Sequence, residues 1–380
     1  MPTAPTKPRI ILAHDWLVGR RGGELVLDAI IRALEPEAHV TAILTMFDDG
    51  NPITAAIDNL PRHAAFTGPR ALKLRRHLLP LYPRAVRTLS RELHRRHAAN
   101  PFDLLISTHS AAIKALKAPT NLPHLCYCHT PARYVWSQTA AYGNASLPLA
   151  LIRPLYQRWD RRTTPRVTRF LANSTHTKAE INRCYHRNAD TLFPPVRTDF
   201  FTPDPPNSNE PPRGTHWLAA GALVPYKRFD LAIAAANHAN HPLTIVGTGP
   251  ELDRLKRLAG PTVSFTRAET DAQMRNHYRR AKLLIQPQLE DFGITALEAQ
   301  AVGTPVVAFA KGGAQDTVKD AVTGVRFNEQ TTESLLAAID RCPEHNAPAC
   351  REHAERFSEA AFRDDFLQHA RALARAQSTS

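Results

Sequence analysis

The chain has 380 residues, 43% of them hydrophobic, which is enough to bury two ordinary domain cores and excludes a disordered protein. No stretch approaches 18 consecutive apolar residues, and no long apolar run follows the initial MPTAPTKPR, so we expect neither a membrane span nor a secretory signal. The net charge of +13 indicates an anionic partner, and composition alone leaves nucleic acid, an anionic membrane and a phosphorylated substrate open.

In the first two hundred residues, short β-rich runs alternate with helical patterns. The predicted strands are 9–14, 39–46, 103–108, 124–129, 170–174 and 191–196, and the predicted helices are 24–35, 85–97 and 178–186. This alternation is typical of a parallel sheet with helices on both faces. We therefore predict a Rossmann-like first domain over residues 1–201.

A proline-rich segment then interrupts the pattern. Residues 202–215 contain five prolines and few apolar residues, which indicates a linker. The alternation restarts with predicted strands at 217–224, 243–247, 263–265, 283–287, 305–309 and 324–327, and predicted helices at 229–239, 251–259, 271–281, 294–301 and 333–341. A second Rossmann-like domain is predicted over 216–357, and residues 358–380 form a C-terminal segment.

Ligands of open α/β sheets bind beyond the carboxyl ends of the strands. Two such sheets predict a substrate cleft between the domains. The candidate residues described next all follow predicted strands, two groups in each domain, so we expect them to line one cleft.

The strongest local pattern is Glu290-Asp291-Phe292-Gly293-Ile294-Thr295-Ala296-Leu297-Glu298. It joins a buried strand to a helix whose first amide groups are unpaired and favour an anion. Gly293 allows the backbone to approach a phosphate, and carboxylates at Glu290 and Glu298 can hold sugar hydroxyls on either side of a diphosphate. The alternative, that Glu290 caps the helix and Glu298 is merely solvated, stays open on spacing alone.

Three further patterns follow predicted strands. Lys227 precedes a helix, where it can neutralise a leaving diphosphate, or it is an ordinary surface lysine. Gly22 and Gly23 can cradle a phosphate with backbone N–H groups, or they form a tight turn. His129 can hydrogen-bond a sugar hydroxyl or shuttle a proton, or it is structural. Gly247-Thr248-Gly249 also follows a strand and carries little weight alone.

Together these residues resemble the retaining glycosyltransferases of family 4, which have the GT-B fold, along nearly the whole chain. The second domain is similar in the Glu290/Glu298 pair with Phe292 and Gly293, in the Lys227 loop and in the segment GTPVVA at 303–308. A narrower branch of the family is also similar: the O-antigen mannosyltransferases resemble this chain in the stretches HDWLVGRRGGE, CYCHTPARYVW, LANST and FPPVRTDFF.

The resemblance implies roles in the second domain. Glu298 would bind the ribose diol, and Lys227 would clamp the diphosphate. Glu290 and the residues that follow it, Phe292, Gly293 and Ile294, would hold the donor sugar. The chain departs from the family at Ala222, where a second clamp arginine is usual, and Arg228, Arg20 or Arg21 would have to replace it.

The resemblance also implies roles in the first domain. Gly22 and Gly23 would face the phosphates, and His129 would contact the donor sugar near its reacting face. Arg133 and Tyr134 are candidates for the acceptor side. The segment 361–374 would be a helix that crosses back to the first domain.

The predicted function is therefore a retaining hexosyltransferase that uses neither a metal nor a cofactor. It would move mannose from GDP-mannose to a cell-surface polysaccharide or a lipid-diphosphate-linked acceptor. Ala222 keeps an alternative open, a catalytically weak relative that binds a nucleotide sugar. Nucleic-acid binding would explain the charge, but the sequence has no helix-turn-helix, zinc or aromatic RNA-binding pattern.

Residues 69–97 combine nine basic residues with a single acid, Glu92, and with interleaved apolar residues. This pattern suits a segment lying on an anionic bilayer, or else a solvated basic helix with an ordinary core face. Cys126 and Cys128 lie two residues apart in an apolar run, too far for a comfortable disulfide and without the C-x-x-C spacing of a zinc site, so the five cysteines are expected to be reduced thiols. We therefore expect a cytoplasmic protein, peripheral at the inner face of the cell membrane. The basic residues are Arg70, Lys73, Arg75, Arg76, Arg84, Arg87, Arg91, Arg95 and Arg96, and the apolar ones are Leu72, Leu74, Leu78, Leu79, Leu81 and Tyr82.

Overall fold

The computed structural model describes residues 7–68, 78–137, 147–205, 211–343 and 346–378. The chain divides into two compact units, one of residues 1–193 with 362–380 and the other of residues 194–361. The predicted linker at 202–215 lies within the second unit. None of the described helices is long and apolar enough to cross a bilayer.

The first unit is built on a seven-stranded sheet in which every neighbouring pair is parallel, in the order β3-β2-β1-β4-β5-β6-β7. The strands are β1 (Arg9–Leu17), β2 (His39–Asp48), β3 (Arg62–Thr67), β4 (Leu104–His109), β5 (His124–Cys128), β6 (Arg169–Ala172) and β7 (Ala189–Thr191). Its described helices are α1 (Gly22–Leu34), α2 (Ala55–Asp58), α3 (Tyr82–Ala99), α4 (Arg133–Trp136), α5 (Leu147–Arg162) and α6 (Thr175–Tyr185).

Two apolar cores cover the two faces of this sheet. Strand residues alternate between them, so that Ile11 packs in one core and Ile10 and Leu12 pack in the other. The C-terminal helix α14 (Glu359–Ser378) contributes Phe362 and Phe366 to the second of these cores.

The second unit has a six-stranded parallel sheet in the order β10-β9-β8-β11-β12-β13. The strands are β8 (Trp217–Ala220), β9 (Leu243–Val246), β10 (Val263–Thr266), β11 (Leu283–Gln286), β12 (Val306–Phe309) and β13 (Gly324–Phe327). The described helices are α7 (Phe229–Ala239), α8 (Leu252–Leu258), α9 (Asp271–Arg280), α10 (Ile294–Ala301), α11 (Ala314–Thr317), α12 (Thr332–Asp340) and α13 (Ala347–Glu355).

Two predicted strands need correction, and one strand was not predicted. The strand predicted at 191–196 lies earlier, at β7, because Pro194 and Pro195 lack the N–H groups that a strand donates. The strand predicted at 217–224 ends at Ala220, because Gly221 turns the chain with φ +141. Strand β3 was not predicted; it is a half-buried edge strand without a clear period-two pattern.

Each sheet has one position where the chain reverses the direction in which it adds strands. The reversal falls between β1 and β4 in the first unit and between β8 and β11 in the second. Such switch points open a crevice at the carboxyl ends of the two strands, where α/β proteins bind ligands.

Candidate functional site

Lys227 and Glu290 meet at the switch point of the second unit. Lys227 lies on the loop after β8, Glu290 lies on the loop after β11, and their side chains form an ion pair. The Gln288 side-chain amide also donates to Glu290 Oε1 at 2.8 Å. Both charged side chains are about five-sixths buried, with 15% and 16% of their surface exposed, so the pair is only partly screened by solvent.

The loop that carries Lys227 is held by close backbone contacts. A Cβ atom on Gly247 would lie 1.9 Å from the Gly221 carbonyl oxygen, and one on Gly249 would lie 2.4 Å from that of Leu223. Only glycine fits at both positions. The Gly247-Thr248-Gly249 segment therefore packs directly against the backbone of the loop that carries Lys227 and holds it in place.

A 3-10 helix at Pro225–Lys227 leads into α7, with Arg228 in the left-handed conformation at φ 52. Arg228 Nε lies 3.2 Å from Asp230 Oδ1. Ala222 is exposed on the same loop. Arg228, one of the candidate replacements for the family's second diphosphate-clamp arginine, is thus already paired with a carboxylate.

The loop that carries Glu290 packs against the loop after β12. Gly313 N donates to the Glu290 carbonyl at 2.8 Å, and a Cβ on Gly312 would lie 2.1 Å from that same oxygen. Gly293, with φ +100, then caps α10, which begins at Ile294. These contacts fix the direction in which the N-terminal amides of α10 point.

Glu298 lies inside α10 and accepts a hydrogen bond from the Tyr278 hydroxyl at 3.0 Å. Burial raises the pKa of Tyr278 well above its ordinary value, and the charge of Glu298 adds to this, so the phenol stays a donor. Phe292 is 3% exposed and packs on Phe357, so any ligand contact by this residue is made by its backbone. Ile294 is half-buried.

In the first unit, Gly22 and Gly23 form the first turn of α1, where backbone N–H groups are unpaired and the helix dipole favours an anion. A Cβ on Gly23 would lie 3.6 Å from His14 Cε1 and 3.8 Å from His129 Nε2. The structure therefore brings His129 to the glycine pair and adds His14. Arg20 and Arg21, the other candidate clamp cations, are exposed on the loop before α1.

Both histidines are neutral at physiological pH. Burial lowers the pKa of His129 to about 3 and that of His14 to about 4. His14 Nδ1 is hydrogen-bonded to Thr108 Oγ1 on β4. Neutral imidazoles beside a helix N-terminus can donate or accept a hydrogen bond without adding charge.

The remaining first-unit candidates lie on α4, after β5. Arg133 and Tyr134 are both half-buried, and the Tyr134 ring packs edge-on against Tyr156 at 6.4 Å between centroids. Burial raises the pKa of the Tyr134 hydroxyl well above its ordinary value. This hydroxyl is therefore protonated in the working pH range.

Two sequence profiles together match almost the whole chain. Residues 20–200 match "Glycosyltransferase Family 4", and residues 201–364 match "Glycosyl transferases group 1". The chain carries both of these glycosyltransferase domains.

Curated relatives and solved structures agree with this assignment. The chain is 29% identical over 62% of its length to D-inositol 3-phosphate glycosyltransferase of Mycolicibacterium smegmatis, and 31% identical over 44% to a GDP-mannose-dependent alpha-(1-6)-phosphatidylinositol monomannoside mannosyltransferase of the same organism. These matches span 59% and 50% of the two relatives, so the chain covers only about half of their length.

Two solved structures show the fold. Sucrose-phosphate synthase from Thermosynechococcus elongatus superposes with a TM-score of 0.77 at 20% identity, over 97% of this chain and all of that one. HepE of Anabaena in complex with UDP-glucose superposes with a TM-score of 0.69 at 17% identity, over 96% of this chain and all of that one. The chain has the GT-B fold, with two Rossmann-like parallel-sheet domains.

Asp15, near the carboxyl end of β1 at the switch point of the first unit, was not among the candidates taken from the sequence. Asp15 accepts hydrogen bonds from the backbone amides of Ser110, Ala111, Ala112 and Ile113 at 2.7–2.8 Å. Burial acts to raise its pKa, but His109 and these amides outweigh burial and hold the pKa well below its ordinary value. The pair His14-Asp15, two polar residues inside an apolar strand, is the signal that could have identified it.

The proposed membrane segment is only partly described, since residues 69–77 lie outside the described part of the chain. Leu79 and Tyr82 are buried in the core, which corrects their assignment to a bilayer-facing surface. Arg95 and Arg96 are paired with Glu92. Arg84, Arg87 and Arg91 have no carboxylate partner among the described residues, and Leu81 is 44% exposed.

Proposed function

We propose that the protein is a retaining hexosyltransferase that binds a nucleotide sugar at the switch point of its second unit. The carrying observation is the Lys227–Glu290 ion pair, with Glu298 on the adjoining helix, inside the domain that matches glycosyl transferases group 1. A cation and two carboxylates around a helix N-terminus are the groups needed to hold a diphosphate between two sugars.

In this proposal Lys227 exchanges its bond to Glu290 for one to the donor diphosphate. The bond between the sugar C1 and the diphosphate oxygen breaks, and the electron pair leaves with the nucleoside diphosphate. Lys227 and the first amides of α10 stabilise that developing charge, so no metal is required. The acceptor hydroxyl oxygen bonds to C1 on the same face and its proton leaves to the departing phosphate.

Once Lys227 has exchanged partners, Glu290 would accept a hydrogen bond from the donor sugar, and Glu298 would accept one from the ribose diol. The proposed partner of His129 is a sugar hydroxyl, which suits an imidazole held neutral by burial. Gly22 and Gly23 would present amides to the phosphates, and Arg133 and Tyr134 would serve the acceptor.

The donor we propose is GDP-mannose. The similarity to the GDP-mannose-dependent relative supports it, while the HepE complex makes UDP-glucose the natural competitor. A thermal-shift panel of GDP-mannose, UDP-glucose and ADP-glucose tests this choice, because a ligand that binds only the native state raises Tm. A larger shift with a UDP-sugar would reject GDP-mannose and leave the transferase proposal intact.

Transfer itself is tested with purified protein, GDP-mannose and a lipid-diphosphate-linked saccharide, with and without EDTA. We expect mannosylated product at the same rate in both. A strict requirement for Mg²⁺ or Mn²⁺ would contradict the metal-independent mechanism.

A second candidate is a weak or inactive relative that binds a nucleotide sugar. The observation that favours it is the exposed Ala222 together with the engagement of Lys227 by Glu290 and Arg228 by Asp230. The two candidates separate in one assay: a donor that raises Tm but is neither transferred nor hydrolysed identifies the binding protein.

The acceptor we propose is a polysaccharide or lipid-linked saccharide at an anionic membrane surface. The exposed Leu81, followed on α3 by Arg84, Arg87 and Arg91, supports this location. Each basic residue held near such a surface contributes about 1 kcal/mol.

A further inference from the structure

The first unit contains a cavity of about 500 Å³ that shares no residue with the glycine pair or with His129. It lies between α3, the segment that follows β4, and α5. Its walls include Arg87 and Arg91 of α3, Lys117, Trp159 of α5 and Arg166. A cavity of this size is typical of a small-ligand site.

The charged side chains that line this cavity are all basic. Four of its lining residues are Arg or Lys, and no Asp or Glu lines it. Within the described residues, the side chains of Arg87, Arg91 and Lys117 have no hydrogen-bond or ion-pair partner, whereas Arg95 on the same helix pairs with Glu92 at 2.7 Å. Like charges gathered without an acid repel one another, and an anion would remove that repulsion.

The walls are held in place by bonds that do not use these charges. Ser90 Oγ donates to Val86 O at 2.7 Å and accepts from Lys117 N at 3.0 Å. His94 Nε2 lies 3.1 Å from Lys117 O, which fixes the backbone of the same residue again. The segment that carries Lys117 is therefore fixed against α3, and a wall that is already fixed loses less conformational entropy on binding.

Trp159 gives the cavity an apolar side. Its ring packs edge-on against Tyr156 at 5.1 Å between centroids and is half-buried. Arginine guanidinium groups can donate two parallel hydrogen bonds to phosphate oxygens, and the face of an indole ring can pack against a sugar ring or an alkyl chain.

We propose that this cavity binds a phosphate group whose attached sugar or glycerol portion packs on Trp159. The ligand is either a soluble phosphate ester or the headgroup of an anionic phospholipid. This inference stands independently of the proposed transferase activity, because it uses none of the donor-site residues.

The test compares the Arg87→Gln/Arg91→Gln double variant with Lys256→Gln/Arg257→Gln in the full chain. Lys256 and Arg257 are the matched control, since both are exposed on α8 of the second unit, have no described carboxylate partner and do not line the cavity. Inorganic pyrophosphate and glycerol 1-phosphate are titrated while tryptophan fluorescence is recorded, and Trp159→Phe identifies the local signal. Vesicles of phosphatidic acid and of phosphatidylcholine form the second arm.

We expect pyrophosphate or glycerol 1-phosphate, phosphatidic acid vesicles, or both to bind the wild type and Lys256→Gln/Arg257→Gln alike. The Arg87→Gln/Arg91→Gln variant should bind about tenfold more weakly, as expected for losing charge-assisted hydrogen bonds. Binding by the soluble esters alone assigns a free phosphate ligand, and binding by phosphatidic acid alone assigns a lipid headgroup. Absence of binding in both arms, or equal losses in the Arg87→Gln/Arg91→Gln variant and in Lys256→Gln/Arg257→Gln, would overturn the proposal.

Discussion

Lys227 and Glu290 neutralise each other in the structure, and this changes how their single substitutions should behave. Removing either one leaves a partly buried charge without its partner, which costs more than the pair contributes. Charge-conserving or isosteric variants are therefore more informative than truncations. Glutamine keeps the shape of glutamate and can still accept the bond from Gln288 or Tyr278.

Glu290→Gln and Glu298→Gln should each lower kcat/KM by on the order of 10²-fold, about 2.7 kcal/mol of transition-state stabilisation. Glu290→Gln should act mainly on kcat, because we place it at the donor sugar. Glu298→Gln should act mainly on donor affinity, measured by calorimetry. Glu329→Gln, an exposed position in the same unit, is the control. Wild-type kinetics in both site variants would refute the assignment.

Glu24 provides a pH-dependent signature at the glycine pair. Burial raises its pKa to about 7, against an ordinary value of 4.5, and its carboxylate accepts a weak bond from Val18 N at 3.4 Å. Protonated Glu24 favours the folded state below about pH 4.5. That contribution is lost as the pH rises through about 7, because the buried group must then ionise.

Glu24→Gln removes this ionisation. The Tm of the variant relative to the wild type should therefore increase between pH 4.5 and pH 7 and level off above pH 7, followed by scanning calorimetry. Glu35→Gln, exposed at the other end of α1, should show no such trend. A Tm difference that is flat with pH would mean that Glu24 is not buried as described.

At the scale of elements, the loop between β8 and α7 decides how much positive charge the donor diphosphate meets. The backbone of this loop packs against Gly247 and Gly249, and the loop carries Lys227 at its end. The exposed Ala222 lies at its start. A cation added there would not have to displace any packed side chain.

Ala222→Arg should therefore strengthen donor binding, as measured by calorimetry with GDP-mannose, by about three- to tenfold for one added charge-assisted bond. The turnover number should rise with it if leaving-group stabilisation limits the rate. Ala234→Arg, an exposed position on α7, adds the same charge away from the loop and should change neither quantity. An unchanged Ala222→Arg would count against the alignment of this loop with the family.

At the scale of the whole molecule, the net charge of +13 includes basic side chains that no ion pair neutralises among the described residues. On α3, Arg95 and Arg96 are neutralised by Glu92, while the three arginines nearer its N-terminus are not paired with described carboxylates. Leu81 precedes them and is exposed. An exposed leucine beside unpaired arginines favours attachment to an anionic surface.

We therefore expect the protein to co-sediment with anionic vesicles at low salt and to be released at roughly 0.5 M salt, where the Debye length is a few ångströms. Leu81→Ser/Arg84→Glu should abolish binding and leave donor affinity unchanged. Leu258→Ser/Arg257→Glu makes the same change at an exposed site in the other unit and should bind normally. If the wild type does not co-sediment with anionic vesicles at low salt, membrane attachment is refuted.

The sequence by itself determined the class of the fold. Strands such as 283–287 and helices such as 294–301 are local patterns of hydrophobic periodicity and end signals, and these are set by neighbouring residues. The same local reasoning located Glu290 and Lys227 on loops after strands and Glu298 inside the following helix, because strand and helix ends are visible in one dimension.

Only the tertiary structure decided which of these residues meet. The Lys227–Glu290 pair joins loops 63 residues apart, and Tyr278 reaches Glu298 from another helix. Asp15 binds four amides more than ninety residues away, which no spacing rule anticipates. The physical reason is that strand order brings distant loops to one edge of a sheet, and burial there sets the pKa values of Glu24, His14 and His129.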